Sequence, residues 1–141
     1  MTRRGLWRAT LAGGVANIWG KLDGDMAINQ GKGVSLPYKN PHWIKTWATF
    51  FQDRFHLDAK PSKTEETLRL HSKSTSPSIF YRENTQSITM DTTGIKSLIF
   101  AIAVDAKAPY QEIDLGIYPP GPNTWNAPHK SDWAVFVKPE P

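Results

Sequence analysis

Near the start of this 141-residue chain two acids stand one residue apart, Asp23 and Asp25, on either side of Gly24. A pair of carboxylic acids could serve acid–base chemistry or bind a cation. The same three residues are also a turn signal, because Asp closes local turns onto its own backbone and Gly supplies positive φ. They fall well short of a calcium loop, which needs several more oxygen ligands at fixed spacing. His42, His56, His71 and His129 include no pair at i, i+2 or i, i+4, so the sequence itself spells out no metal site. Absence of cysteine removes thiolate ligands and disulfides. Serine is plentiful but never within a Gly-x-Ser-x-Gly elbow, and Gly31-Lys32-Gly33 lacks the rest of a phosphate loop. The expectation is a chain with no catalytic residue, no metal and no cofactor of its own.

Tryptophan is the other residue type with binding chemistry, and there are six. Trp43 and Trp47 lie on a helical stripe and read as packing. Trp125 and Trp133 flank the last turn and could form an aromatic patch. Trp19 ends a short apolar run, Val15 to Gly20.

The elements that would position these residues follow from periodicity. Thr2 to Leu11 reads as a helix stopped by Gly13-Gly14, and Val15–Gly20 as a brief strand. Residues 21–40 form a long polar loop, a length that usually signals function or mobility. Asn40 is suited to an N-cap and Pro41 to the first helical position. Ile44, Trp47, Ala48, Phe51 and Phe55 then make one apolar stripe at helical spacing. Such a stripe left partly uncovered would favour self-association. Leu57 to Thr64 reads as a connection.

From residue 66 onward short β-like runs take over: Thr67–Lys73, Ser78–Arg82, Gln86–Asp91, Ser97–Val104, Gln111–Gly116, a short strand at Trp125, and Asp132–Lys138. The turn-dense Tyr118–Asn123 separates two of them. This spacing predicts a mainly β fold, a small antiparallel β-sandwich over 61–141. Its expected core is Leu68, Leu70, Ile79, Ile88, Met90, Leu98, Phe100, Ile102, Val135 and Val137, and Phe100→Ala is expected to cost about 3–5 kcal/mol as a buried aromatic.

Charge narrows the partners. The net charge is +4, with nine Lys and Arg against four acids in residues 1–60 and eight against nine in the remainder. The basic residues are dispersed rather than gathered, so no nucleic-acid partner is predicted. The longest apolar run, Leu98 to Val104, is far too short to span a bilayer, and no membrane partner is predicted. The stretch from Leu6 to Ile18 is broken by Gly and Arg and makes no signal-peptide h-region.

Several of these segments together carry a family likeness. Leu68-Arg69, Ile79-Phe80-Tyr81, Ser87-Ile88-Thr89-Met90-Asp91, the apolar strand around Phe100, and the ending Trp125…Pro128…Ser131-Asp132-Trp133-Ala134-Val135-Phe136-Val137 resemble the C-terminal β-sandwich of apiosidase-like glycoside hydrolases, a module named for collagen binding. The order helix, Gly13-Gly14, Asn17, Trp19-Gly20 resembles the last helix and eighth strand of the barrel in that family. The turn after Val104 departs from it: Asp105-Ala106-Lys107-Ala108-Pro109 stands where the family usually has Asp-Pro-Arg-Thr-Gly.

The resemblance implies three parts: a (β/α)8-barrel remnant over 1–40, a connecting helix over 41–60 and the β-sandwich over 61–141. It implies that the barrel strands bearing the two catalytic carboxylates are missing from this chain, and that the parent is bacterial; the localisation stays open, with a secreted or periplasmic parent one option. Trp19, at the end of the eighth strand where barrel active sites lie, would stack on a sugar, with Asn17 on a hydroxyl; Trp125 and Trp133 would be further carbohydrate contacts. The implied role is an accessory region, inactive alone, that supports or extends a carbohydrate-active barrel. Two alternatives stay open. A free-standing carbohydrate-binding module would need an exposed planar set of aromatics, and a small self-sufficient enzyme would need Asp23, Asp25 or histidines converging in one pocket.

Overall fold

The computed structural model describes residues 2–14, 40–72 and 77–140. Two helices, α1 (Thr2–Leu11) and α2 (Pro41–Phe51), precede six strands: β1 (Lys60–Thr64), β2 (Thr67–His71), β3 (Ser78–Asp91), β4 (Ile99–Asp105), β5 (Ile113–Tyr118) and β6 (Pro122–Pro139). The strands form one antiparallel sheet in the order β1-β2-β3-β6-β4-β5. The mainly β, antiparallel expectation holds.

Local chemistry sets the helix limits. Gly13 adopts φ +90, and its N–H donates to the Thr10 carbonyl while the Gly14 N–H donates to that of Ala9, both at 2.9 Å. This 5→2 and 6→1 pair ends α1 with two otherwise orphaned carbonyls satisfied. Pro41 opens α2 as expected, but Asn40 makes no side-chain cap bond there. The stripe of α2 is also rotated from its predicted line. Thr46, Phe50 and Phe51 are buried, Trp47 and Phe55 pack partly buried against the same core, and Ala48 is exposed. The rotation is set by a polar contact: the Thr46 hydroxyl donates to the Ala108 carbonyl at 2.8 Å, fixing that side of the helix against the turn after β4.

Alternation in the strands distributes apolar residues to both sides of the sheet. Ile79 and Tyr81 of β3, Ile102 and Val104 of β4, and Ala134 of β6 face the helices, where they meet Trp7, Leu11, Phe50 and Phe51. Trp7 is the hub of that layer. It stacks on Tyr81 (5.2 Å between ring centroids, 5° between planes) and tilts against Phe50 and Phe51 at 5.1 and 5.2 Å, contacts worth about 0.5–1.5 kcal/mol each beyond area burial.

On the opposite side Phe80, Ile99, Ala101, Ala103, Trp133, Val135 and Val137 form a second cluster with Ile88 and Met90. The pairing of β3 with β6 is interrupted between Arg82 and Thr85 and again between Thr85 and Ser87. Asn84 lies at φ +52 in the first interruption. Bulges of this kind bend and twist a strand pair. They let the far halves of β3 and β6 turn Ile88 and Met90 onto the face made by Val135 and Ile99. In place of the two packed sheets of the expected sandwich there is one continuous six-stranded sheet with an apolar cluster on each side. Gln86–Asp91 and Ser78–Arg82 are parts of a single strand, as are the Trp125 and Asp132–Lys138 segments.

Three further expectations change. Residues 60–64 are edge strand β1, not connection. All five side chains are exposed and Pro61 is among them, as suits an edge, so no alternation marked the strand. Leu98 is 50% exposed because β4 begins only at Ile99. Phe100 is half-buried, with the Lys138 ammonium 5.6 Å from its ring centroid, rather than a full core residue.

Candidate functional site

Among the described residues the strongest electrostatic feature joins α1 to β6. Asp132 has a fully buried side chain in β6, yet it is ringed by cations from the first two turns of α1. Arg4 donates twice, from Nε at 2.8 Å and Nη2 at 3.0 Å, and Arg3 Nη2 lies 2.8 Å away. The backbone N–H of Asn84, presented by the β3 bulge, donates at 2.9 Å, and Lys107 Nζ approaches to 3.6 Å. These donors occupy most of the lone-pair directions a carboxylate offers. Burial by itself would push the pKa of Asp132 up. The Arg4 and Asn84 hydrogen bonds, with the Arg3 and Lys107 charges, hold it down at about 2.

Next to this centre the Glu83 carboxylate accepts from Arg8 Nε at 2.8 Å, stands 3.4 Å from Arg4 Nε and accepts from the Tyr81 hydroxyl at 3.4 Å. Burial, followed by the neighbouring Glu83 carboxylate, pushes the Tyr81 phenol well up. Beside Glu83 opens a groove of about 670 Å³ lined by Arg4, Arg8, Lys63, Leu68 and Tyr81. Of the two acids that line it, Glu83 is engaged by three donors and Glu66 is highly exposed, 3.5 Å from Arg82. The arrangement clamps α1 onto the sheet and leaves no poised acid–base pair.

Around the turn after β4 a third acid collects partners. Asp105 accepts from the Ser131 hydroxyl (2.6 Å) and the Lys107 N–H (2.8 Å), and its other oxygen meets His129 Nε2 at 2.9 Å. Serine, histidine and aspartate are together, but aspartate is in the middle. Nucleophile activation needs the imidazole between hydroxyl and carboxylate, so this trio orders the turn and activates nothing. Of the other histidines, His42 lies 3.3 Å from the Lys107 carbonyl and His71 2.8 Å from the Ser78 hydroxyl. Among the described residues no three His, Asp or Glu side chains gather as a metal site, and no helix is long and apolar enough to cross a membrane.

Trp19 and Asn17, the predicted sugar contacts, lie outside the described residues, as do Asp23 and Asp25. Trp125 and Trp133 are brought together edge to face, 5.1 Å apart at 87°. Trp133 is 1% exposed and its indole N–H donates to the His129 carbonyl at 3.0 Å. Trp125 is half-buried, so of the two it is the one with surface to offer a ligand. In the sequence Asp132 stands out only as the start of the closing strand and the middle of Ser131-Asp132-Trp133. Its partners on α1, Arg3 and Arg4, lie almost the whole length of the chain away, Arg4 at 128 positions, and nothing local announced them.

No family model and no curated protein sequence matches the chain. Among solved structures it is similar to a glycoside hydrolase family 5 protein from Bacteroides vulgatus, with a TM-score of 0.72 at 13% identity over 97% of this chain and 35% of that one. A second structure, titled simply a glycoside hydrolase, gives a TM-score of 0.58 at 11% identity over 70% of this chain and 25% of the other. The chain thus shares its fold with part of glycoside hydrolases and spans 35% or less of their length.

Proposed function

We propose that this chain acts as the C-terminal accessory region of a glycoside-hydrolase-like protein of the apiosidase-like kind, supporting or extending a carbohydrate-active barrel and lacking turnover alone. The observation that carries this reading is the likeness to a glycoside hydrolase over 97% of the chain but only 35% of the other protein. The clamp at Asp132 supports it too, since it locks the segment resembling a barrel's last helix to the β module. Trp19 and Asn17 are the proposed sugar contacts on the barrel side, Trp125 the one on the β module, with Trp133 backing its ring.

Hydrolysis of a glycoside uses two carboxyl groups flanking the bond, about 5–10 Å apart. In this reading both come from barrel strands that this chain does not supply. The purified chain, assayed on a panel of oligosaccharides and aryl glycosides, should release no product, while Trp19→Ala should weaken any glycan retention. Turnover that survives rigorous purification and disappears in Asp23→Asn or Asp25→Asn would replace this reading with that of a small enzyme.

A further inference from the structure

A second, smaller groove of about 180 Å³ lies on the strand side, away from α1; Arg69, Arg82, Phe80, Thr67 and Thr89 line it together with two acids, Asp91 and the exposed Glu65 of the β1–β2 turn. Arg69 faces Phe80 across the β2–β3 ladder, and Arg82 follows two residues along β3 on the same face. The two guanidinium groups are thus diagonal neighbours within reach of each other. Like charges so placed repel, and among the described residues no carboxylate of the groove comes within ion-pair distance of Arg69. Arg69 makes one side-chain hydrogen bond, a long one of 3.3 Å to the Ser78 hydroxyl, with its plane 5.3 Å over the Phe80 ring. Among the described residues Arg82 reaches Glu66 alone, at 3.5 Å, and that carboxylate is 77% exposed. The Nε atoms of both are buried without a partner. Burial lowers the pKa of the Arg69 guanidinium, and only the Asp91 charge opposes it. Asp91 itself is committed to its own turn, accepting from the Thr93 N–H at 2.9 Å.

We infer that this groove binds the carboxylate of an acidic sugar: a uronic acid unit whose charge is taken by Arg69 and Arg82 and whose hydroxyls meet Thr67 and Thr89. The choice of a sugar rests on the glycoside-hydrolase-like reading, and the choice of an anion rests on the groove alone. The volume is on the scale of one sugar ring, and arginine's planar fork matches a carboxylate better than a neutral hydroxymethyl group.

The test is an amide-resolved NMR titration of the full chain at 150 mM salt with methyl glucuronide, its neutral isostere methyl glucoside, and sodium acetate. Methyl glucuronide should shift the amides of Thr67, Arg69, Thr89 and Asp91 and bind about tenfold more tightly than either control, the scale of one charge-assisted hydrogen bond. Arg82→Gln, at a partly exposed site, should weaken it by about threefold or more, and Asp91→Asn, which removes one of the two acids lining the groove, should tighten it by about twofold to fivefold. Tightening by Asp91→Asn is an outcome that mere damage to the fold does not produce. Equal binding of methyl glucoside would overturn the anionic inference and leave the accessory reading standing. Equal binding of acetate would overturn the sugar. Shifts elsewhere, or none, would overturn the site itself, whatever the turnover assay says of the accessory role.

Discussion

Two arginine-lined regions of this molecule use the same side chain differently. Beside α1, Arg3, Arg4 and Arg8 each reach a carboxylate of Asp132 or Glu83 within 2.8 Å. On the strand side Arg69 has no ion-pair partner among the described residues, and Arg82 has a single exposed one at 3.5 Å. Arginine count does not separate the two regions. What separates them is a buried acid placed where the guanidinium groups arrive. Where Asp132 provides it, arginine binds one part of the chain to another. Where none is provided, the positive charge remains available to a ligand.

The sharpest way to break the comparison is to remove the buried acid. Asp132→Ala leaves Arg3 and Arg4 facing each other without a counter-charge, and truncating one partner of a buried pair costs about 3–5 kcal/mol. Urea unfolding should show that loss as a fall in midpoint with the slope unchanged. A change under about 1 kcal/mol would mean that the clamp holds nothing.

Acid should do the same reversibly. The pKa of Asp132 lies below its unfolded value, at about 2 against 3.8, so its contribution is fully present above about pH 4 and drains away as pH falls towards 2. Hydrogen exchange in α1 should accelerate through that window, and Asp132→Asn should abolish the acceleration.

Glu83→Gln should have a smaller effect, about 1 kcal/mol, because Arg8 is 60% exposed and water screens the pair. Thermal melting would read it, and a loss rivalling that of Asp132→Ala would shift the centre of the clamp to Glu83. Smallest of all, Arg82→Gln should alter stability by less than about 1 kcal/mol, since its partner Glu66 is highly exposed. A large destabilisation there would erase the distinction between the two regions and make the strand-side arginines structural as well.

How much of this was legible depended on how local the cause was. The limits of α1 followed from Gly13, because a left-handed residue ends a helix wherever it stands. Burial of β4 on both faces followed from its unbroken apolar run, realised in Ile99, Ala101 and Ala103 on one side and Ile102 and Val104 on the other. Strand β1 was illegible because an edge with every side chain in water carries no period. Phe100 looked like core by its type, but it packs only partly buried at the margin of the helix-side core, with Lys138 over its ring.

By itself the sequence determined the class of the fold, the start of α2 at Pro41, the excess of positive charge towards the N-terminus, and an ending built around Ser131-Asp132-Trp133. All of these follow from interactions between near neighbours or from composition. Tertiary structure alone decided what the charges do. Arg4 and Asp132 are 128 residues apart, and Arg69 and Arg82 meet only because two strands pair in one register. A carboxylate's field fades within a few ångströms in water and persists when both groups are buried. Whether an arginine becomes a fastening or a binding group is therefore settled by which acid the fold buries beside it.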